Sequence, residues 1–540
     1  MPRLKAVPMD GHTEVDSLMD RQWFDRCAFL VIAIHMLVWT LVPTLVNRNL
    51  PLDVVEALAW GHEWEWGYEK HPPLSAWAAE AAAVLGNGID APLYLMSQIC
   101  IGLGFWGMYR LGKRLFGPAV GLLGLLAMEG IVYNNFTSPE LNVNVVQFPC
   151  WAWALDSFWL GVHTGKLRWW LLLGVCVGAA LLGKYLAVFL ALPLLVFLLI
   201  SPAGRASWKT AGPYVALLTA IGVFGPHLVW ASEHEWVTIL YGLRRAGGGG
   251  PRLWTDHLFN PLDFLVAILF NVSLILPMGW VLRRQFQSSR LGNDRVRYAW
   301  LIALVPVASI LCLSFLRGWE LKSMWGAPML VALTLPLAAS FRSIPPGLKN
   351  WQPVLGVWTL LLTAPVMAYL VEWSATPVVT QHERRCDFEG REFAASVTQL
   401  WQDRYHQPIP YVIGDVWLAG NVGWYSTDRP AVVIWRDGPQ SLDIGREEVI
   451  RRGAVVVWSI TDRKGRTAPA ERQDAAPISE YFGRLLPQET ITVPGHHNTP
   501  DVRVGIAWLP PQSVEHAPET SPYPPRLAEY PSEIDPSTVR

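Results

Sequence analysis

The chain has 540 residues, of which 51% are hydrophobic and only 16% charged, with a formal net charge of −1 at pH 7. Soluble domains carry about 25% charged residues, so the shortfall excludes an ordinary soluble globule and points to a polytopic membrane protein. The balanced charge excludes the basic footprint of a nucleic-acid-binding protein, and the six cysteines supply neither a disulfide framework nor a paired metal motif.

Residues 1–26 are polar and read as a cytoplasmic N-terminus. The first apolar run has no small-residue cleavage pattern after it, so it is expected to be a retained span. Counting runs of mainly apolar residues places eleven spans, near 27–47, 92–112, 117–134, 143–162, 169–183, 185–200, 210–230, 261–282, 298–316, 325–341 and 351–373. The pair 169–183 and 185–200 is short; two full spans and one re-entrant pair both fit. The loops alternate in character. Short basic ones (Lys113-Arg114, Lys166 with Arg168, Arg205 with Lys209, Arg283 to Arg297, Arg342 with Lys349) belong on the cytoplasmic side. The loop around Asp53, the turn at Glu140, Lys184-Tyr185, residues 231–260 and the turn Arg317–Lys322 then share the outer side. Residues 27–373 thus form a membrane domain, with 47–91 its first outer loop.

Beyond residue 374 charge and proline content rise. Short apolar stretches at 410–414, 431–435 and 454–458 read as buried strands, with helices near 388–404 and 476–486, so residues 374–512 are expected to be a small α/β domain on the outer side. Residues 513–540, rich in Pro, Ser and Glu, read as a disordered tail. No repeat of fixed period is present.

The chemistry-bearing stretch is the first outer loop, where Asp53, Glu56, Glu63, Glu65, Glu69, Lys70, His62 and His71 alternate with Trp60, Trp64, Trp66, Tyr68 and Trp77. If Pro51 opens a helix, Asp53 and Glu56 share one face. Two readings of Asp53 stand: a general base at the membrane boundary, or the cap of an interfacial helix. The tryptophans read as an interfacial belt. Glu140, with Asn142 and Asn144, forms a second polar turn at the membrane edge, where an ionisable group usually faces a cavity or a partner. Lys184 interrupts an apolar stretch, either snorkelling to the interface or, with Tyr185, meeting an anionic head group. Arg244 and Arg245, beside Gly247 to Gly250, read as a mobile basic loop, and Lys322 has the same ambiguity as Lys184. Cations converging on one face would suit a phosphate or diphosphate. His227 and His234 are too sparse to argue for a metal site.

The acids after the first span, then Trp60-Gly61, Gly67-Tyr68 and Lys70-His71-Pro72-Pro73-Leu74, resemble the first outer loop of the family 39/83-type glycosyltransferases of the membrane-embedded GT-C fold. These include protein O-mannosyltransferases, the aminoarabinose transferase of lipid A and relatives of the rhizobial galacturonosyltransferases. Residues 139–144, Gly183-Lys184-Tyr185, 226–230, 414–421, Tyr425-Ser426 and Arg429-Pro430 resemble further parts of the pattern. Many relatives have adjacent Asp-Glu where this chain has Asp53 and Glu56.

The resemblance implies a GT-C fold of about eleven transmembrane helices with a C-terminal α/β domain, in the inner membrane of a bacterium, working at the periplasmic face. It implies a polyprenyl-phosphate sugar as donor and a glycolipid or protein acceptor, with membrane lipids as surroundings. Asp53 would be the base that deprotonates the acceptor and inverts the anomeric centre, with Glu56 and Glu140 as further catalytic acids. Tyr68, Lys70, His71, Asn142, Lys184, Tyr185, Arg244, Arg245 and Lys322 would bind donor or acceptor. Metal use varies among such enzymes, so a divalent metal stays open without a ligand set. Two alternatives share the composition: a secondary transporter or flippase, which would place its ionisable groups near the bilayer midplane, and a polysaccharide ligase with a lipid-diphosphate donor.

Overall fold

The computed structural model describes residues 11–247, 253–283, 294–341, 344–380, 384–436, 438–441, 443–461, 466, 475–486, 489–496 and 499–512. The expected tail at 513–540 and Gly248–Gly250 lie outside the described residues. The chain opens with α1 (Gly11–Val46), α2 (Leu52–Gly61), α3 (Leu74–Gly86), α4 (Ala91–Phe116), α5 (Pro118–Met128), α6 (Val143–Thr164), α7 (Leu167–Gly183) and α8 (Val188–Ile200). Helices Gly212–Glu233, Asp256–Val272, Asp294–Arg317 and Leu348–Leu370 complete the bundle.

Among the described residues, six helical stretches are long and apolar enough to cross a membrane: Arg21–Val46, Ala91–Phe116, Gly212–Glu233, Asp256–Leu282, Asp294–Arg317 and Leu348–Thr380. Shorter apolar helices, α3, α5, α7 and Tyr185–Ile200, accompany them. Large apolar side chains such as Leu45, Leu218 and Phe270 point outward, which lipid tolerates and water does not. Close approach holds the bundle together where α7 meets helix Gly212–Glu233. A Cβ on Gly174 would stand 2.4 Å from the Ala216 carbonyl oxygen, so the small residue sets the contact. At one end of the bundle Lys113 donates to Asp25 at 2.6 Å and Arg114 to the buried Asp156 at 2.7 Å. Asp53 and Glu140 lie at the other end.

Two spans differ from expectation. The run near 117–134 is helical only to Met128, then turns through a 3-10 segment at Val132–Asn134. The run near 325–341 is a 3-10 segment, Ser323–Leu330, followed by a single turn, Thr334–Ala338. Pro328 and Pro336 each remove a helix donor there, and the segment is buried among its neighbours instead of facing lipid. At 169–200 the chain breaks at Lys184, which is extended (φ −167°, ψ 140°). On either side of it, α7 packs between α6 and helix Gly212–Glu233, whereas α8 packs on helix Asp294–Arg317.

The C-terminal part carries a five-stranded sheet of order β2-β1-β3-β5-β4: β1 (Tyr411–Gly414), β2 (Ala431–Ile434), β3 (Ala454–Ser459), β4 (Glu489–Val493) and β5 (Val502–Leu509). The first three strands are parallel to one another; β5 runs antiparallel to both β3 and β4. Helices Gly390–Tyr405 and Leu418–Tyr425 cover one face, through Phe393, Trp401, Leu418 and Val422. Helices Arg446–Arg452 and Ala476–Phe482 cover the other, through Val449, Ile478 and Phe482. The first face shares its core with Trp60, Tyr68 and Ala76 of the first outer loop. The domain is therefore packed onto the polar loop and not tethered beside it.

Candidate active site

Pro51 (φ −59°, ψ 156°) is the residue that opens α2, and it puts Asp53 in the first turn. The Asp53 N–H has no partner inside a helix that begins so close before it; it donates to Glu140 Oε1 at 3.3 Å. Glu140 is presented by a turn that side chains pin throughout. Asn134 Nδ2 donates to the Met128 carbonyl at 3.0 Å, Asn135 Nδ2 to the Glu129 carbonyl at 2.5 Å, and Ser97 Oγ to the Ser138 carbonyl at 2.5 Å. Asn142 ends the turn as the N-cap of α6, its Oδ1 accepting from the N–H of Asn144 at 2.9 Å and of Val145 at 3.3 Å. The two acids are thus held edge to edge on rigid backbone. Burial raises the pKa of both; the charge of Glu56 raises Asp53 further, and that of Asp53 raises Glu140, while Lys70, Lys184 and Arg385 pull Asp53 back down and Arg385 does the same to Glu140.

Lys184 and Lys70 are the lysines whose charge acts on Asp53. Lys184 Nζ donates to Asn144 Oδ1 at 3.3 Å and stands 5.5 Å from the Trp325 ring centroid. Burial brings its pKa down from 10.5 to about 7, against the pull of Asp53 and with the push of Arg245. Lys70 is bonded to Glu56, which fixes it 6.0 Å from the Trp60 ring centroid. Burial and the charges of Lys184 and Lys70 lower the pKa of His71, so it is a neutral donor–acceptor at pH 7. Glu140, Asn142 and Asn144 form the polar rim of an open cleft of ≈ 550 Å³, and Ile101, Phe148 and Met324 form its apolar wall.

The remaining sequence-selected residues fall elsewhere. Tyr68 stacks on Trp60 (5.4 Å, 11°) and its hydroxyl accepts from the Glu65 N–H at 3.2 Å, so it shapes the loop. The Tyr185 hydroxyl and His227 Nε2 lie 2.7 Å apart, and His227 Nδ1 is 2.7 Å from the Trp66 carbonyl. His227 is a core residue, as its fully buried ring shows. Arg244 and Arg245 are exposed in the last turn of helix Val237–Gly247, in place of the expected mobile loop; basic residues suit a helix C-terminus. Lys322 donates to Glu320 at 2.5 Å. Among the described residues no three His, Cys, Asp or Glu side chains converge where a metal ion could sit, so the residues present do not make up a metal centre.

Two residues at the site carry no signal in the sequence reading. Asn49 Nδ2 donates to Asn421 Oδ1 at 2.6 Å and to the Phe388 carbonyl at 3.2 Å, and the Tyr425 hydroxyl accepts from the Leu50 N–H at 3.1 Å. The other is Arg385, in the stretch that joins the bundle to the α/β domain. Both depend on the chain returning over more than 300 residues, and no local pattern announces such a return.

With this geometry in place, comparison with known proteins is informative. Residues 70–230 match the family described as dolichyl-phosphate-mannose-protein mannosyltransferase. The lipid A galacturonosyltransferase RgtD of Rhizobium johnstonii is 24% identical over 352 residues, covering 62% of this chain and 69% of that protein. The crystal structure of ArnT from Cupriavidus metallidurans bound to undecaprenyl phosphate superposes with a TM-score of 0.57 at 11% identity, over 91% of this chain and 99% of that one. The apo state of ArnT superposes with a TM-score of 0.57 at 12% identity, over 89% of this chain and 97% of that one. The structural likeness establishes the fold, and the family and sequence matches add the activity class. The chain is a multi-pass membrane glycosyltransferase of the GT-C fold.

Proposed function

We propose that the chain transfers a sugar, with inversion at the anomeric carbon, from a polyprenyl-phosphate sugar to a hydroxyl of an envelope glycolipid of the lipid A type, at the periplasmic face of a bacterial inner membrane. One observation carries this reading: Asp53, on whose carboxylate Lys70 and Lys184 act, donates its N–H to Glu140, and Glu140 rims a cleft that is polar on one side and apolar on the other. Such a cleft suits a donor with a phosphate head and a prenyl tail. ArnT, bound to undecaprenyl phosphate, and RgtD, a lipid A galacturonosyltransferase, support the choice of lipid donor and glycolipid acceptor.

In this reading Asp53 takes the proton of the acceptor hydroxyl as its oxygen attacks the anomeric carbon. The bond from that carbon to the phosphate oxygen breaks, and the polyprenyl phosphate leaves with one more negative charge. Lys184 and Lys70 stabilise that growing charge. Glu140 holds the Asp53 backbone and shares the local charge; Glu56 fixes Lys70. Asn142 lines the cleft beside Glu140. Tyr68, Tyr185, Arg244 and Lys322 act on the surroundings rather than on the reacting atoms.

The test is a transfer assay with purified protein, a panel of undecaprenyl-phosphate sugars and lipid A, with products read by mass spectrometry. Product from the wild type and none from Asp53→Asn supports the assignment. Product at the wild-type rate from Asp53→Asn would sink the base, and donor turnover without acceptor glycosylation would sink the reaction class.

A further inference from the structure

The polar turn that presents Glu140 is anchored inside the bundle. α5 stops at Met128, and Glu129 caps its end. The Glu129 side chain meets His35, which belongs to the spanning stretch Arg21–Val46 of α1. His35 Nδ1 and Glu129 Oε1 lie 2.9 Å apart, and both side chains are 0% exposed. The His35 ring packs against Phe105 of α4, with centroids 4.9 Å apart. Ionisable side chains enclosed within membrane helices are costly and usually serve a site.

Hydrogen bonds lead from Glu129 to the acid pair. Its carbonyl accepts from Asn135 Nδ2 at 2.5 Å. The Asn135 carbonyl accepts in turn from the Ser138 N–H at 2.9 Å and from Ser138 Oγ at 2.8 Å. Ser138 is held from α4 as well: Gln98 Nε2 donates to its Oγ at 3.1 Å and Ser97 Oγ to its carbonyl at 2.5 Å. Two residues on, the Glu140 N–H donates to the Thr137 carbonyl at 3.3 Å, and Glu140 Oε1 accepts from the Asp53 N–H at 3.3 Å. Asn135, Ser138, Ser97 and Gln98 are buried, so bulk water does not compete for these bonds. The turn is also confined where it begins: a Cβ on Gly130 would stand 2.8 Å from the Ile275 backbone nitrogen.

Simple glue between α1 and α5 would not need this pair. His35 Nε2 and Glu129 Oε2 are buried, and among the described residues neither has a partner. A partly satisfied buried pair stabilises a fold poorly, and apolar side chains of similar volume often do as well or better. The pair supplies direction instead. Apolar contact is non-directional, whereas a carboxylate bonded to a ring fixes the orientation of the residue at which α5 ends. We infer that His35 and Glu129 are positioning residues: their hydrogen bond fixes the start of the turn that carries Glu140, and through Glu140 it places the backbone that bears Asp53. The inference rests on the roles proposed above for Asp53 and Glu140. A reacting group misplaced by about 1 Å can lose about 100-fold in rate, so loss of the pair should lower kcat by roughly 10- to 100-fold.

The test is a double-mutant cycle read as kcat per folded enzyme, with folded protein counted by size-exclusion chromatography in detergent. The pair is removed by His35→Leu together with Glu129→Leu, which strands no carboxylate, in wild type and in Glu140→Ala. In the wild-type background kcat should fall roughly 10- to 100-fold. In Glu140→Ala, which has already lost the contact to the Asp53 N–H, the same change should cost less than about threefold more. Glu129→Gln keeps an oxygen beside the His35 ring and should recover most of the loss. If the leucine pair does not fold, Asn135→Ala takes its place: it cuts the link to the turn with the pair intact, and should show the same loss and the same dependence on Glu140. Wild-type kcat in the folded variant, or an equal loss with and without Glu140, overturns the inference while leaving the transfer reaction standing, since a merely structural role gives equal losses. A wild type that transfers no sugar overturns the proposed function and the positioning role with it.

Discussion

Lys184 is the group on which the pH dependence of this enzyme should turn. Its side chain sits at the break between α7 and α8, bonded to Asn144 at 3.3 Å, and burial brings its pKa down from 10.5 to about 7. The sign follows from the role proposed for it. The charged form binds the donor phosphate, so competence is complete below that pKa and is lost as pH rises through it. With a pKa of about 7, the charged fraction falls from roughly nine-tenths near pH 6 to about one-tenth near pH 8. Donor kcat/KM, which reports the free enzyme, should therefore fall about tenfold across that window, whereas the limb in kcat should lie at higher pH because bound phosphate holds the proton on. Lys184→Arg stays charged throughout. Its absolute rate should drop, because a fork replaces a point charge, but its alkaline limb should vanish. The assay is a set of initial rates at limiting donor across the pH series for both proteins. A limb that survives in Lys184→Arg refutes the reasoning. Glu140, whose pKa is raised by burial and by Asp53, is then the alternative owner, and loss of the limb in Glu140→Gln would assign it there.

Other expectations follow from the same contacts. Asp53→Asn should cost about 10²- to 10⁴-fold in kcat, the usual contribution of a general base, with the donor KM close to wild type. Glu56→Gln removes a charge that raises the Asp53 pKa, so the acidic limb of the pH profile should move to lower pH; a limb that stays in place would show that the two carboxylates are not in communication. Gly390→Ala would drive a Cβ to 2.1 Å from Asn421 Oδ1 and 2.6 Å from Asn49 Nδ2. It should destabilise the joint by about 1–3 kcal/mol, seen as a lower Tm in detergent. Lys322→Ala removes an exposed pair with Glu320, a contribution of about 1 kcal/mol or less, so the donor KM should shift by less than about fivefold; a larger rise would bring Lys322 back to the donor phosphate.

The polytopic helical fold with its appended sheet was legible because hydropathy and strand composition are local properties. So was the interest of Asp53, Glu140 and Lys184: an ionisable group amid apolar sequence stands out because lipid makes it costly. What stayed hidden obeys a different logic. The stretch 323–338 is as apolar as a span, yet Pro328 and Pro336 keep it from being a continuous helix; hydropathy registers composition and not backbone geometry. β4 and β5 pair antiparallel at the sheet's far side, and β5 is buried over nearly its whole length, so it lacks the alternation that marks a half-buried strand. Arg244 and Arg245 read as loop because the glycines after them dominate the local pattern, whereas the helix before them decides their placement.

Asn49 shows why the C-terminal domain cannot be treated as a roof added to a finished enzyme. Helix Leu418–Tyr425 meets α2 so closely that a Cβ on Gly420 would stand 2.6 Å from Val55, two residues after Asp53. Asn421 and Tyr425 then hold the two residues that lead into α2, and Trp424, Tyr425 and Arg391 all reach Asp90 at the start of α4. The stretch 414–430, selected in the sequence only by resemblance, is the surface that sets the position of the helix bearing the proposed base. Motion of the domain would therefore shift the helix that carries Asp53. Tightening that joint should raise thermal stability. Loosening it should lower the rate with every acceptor.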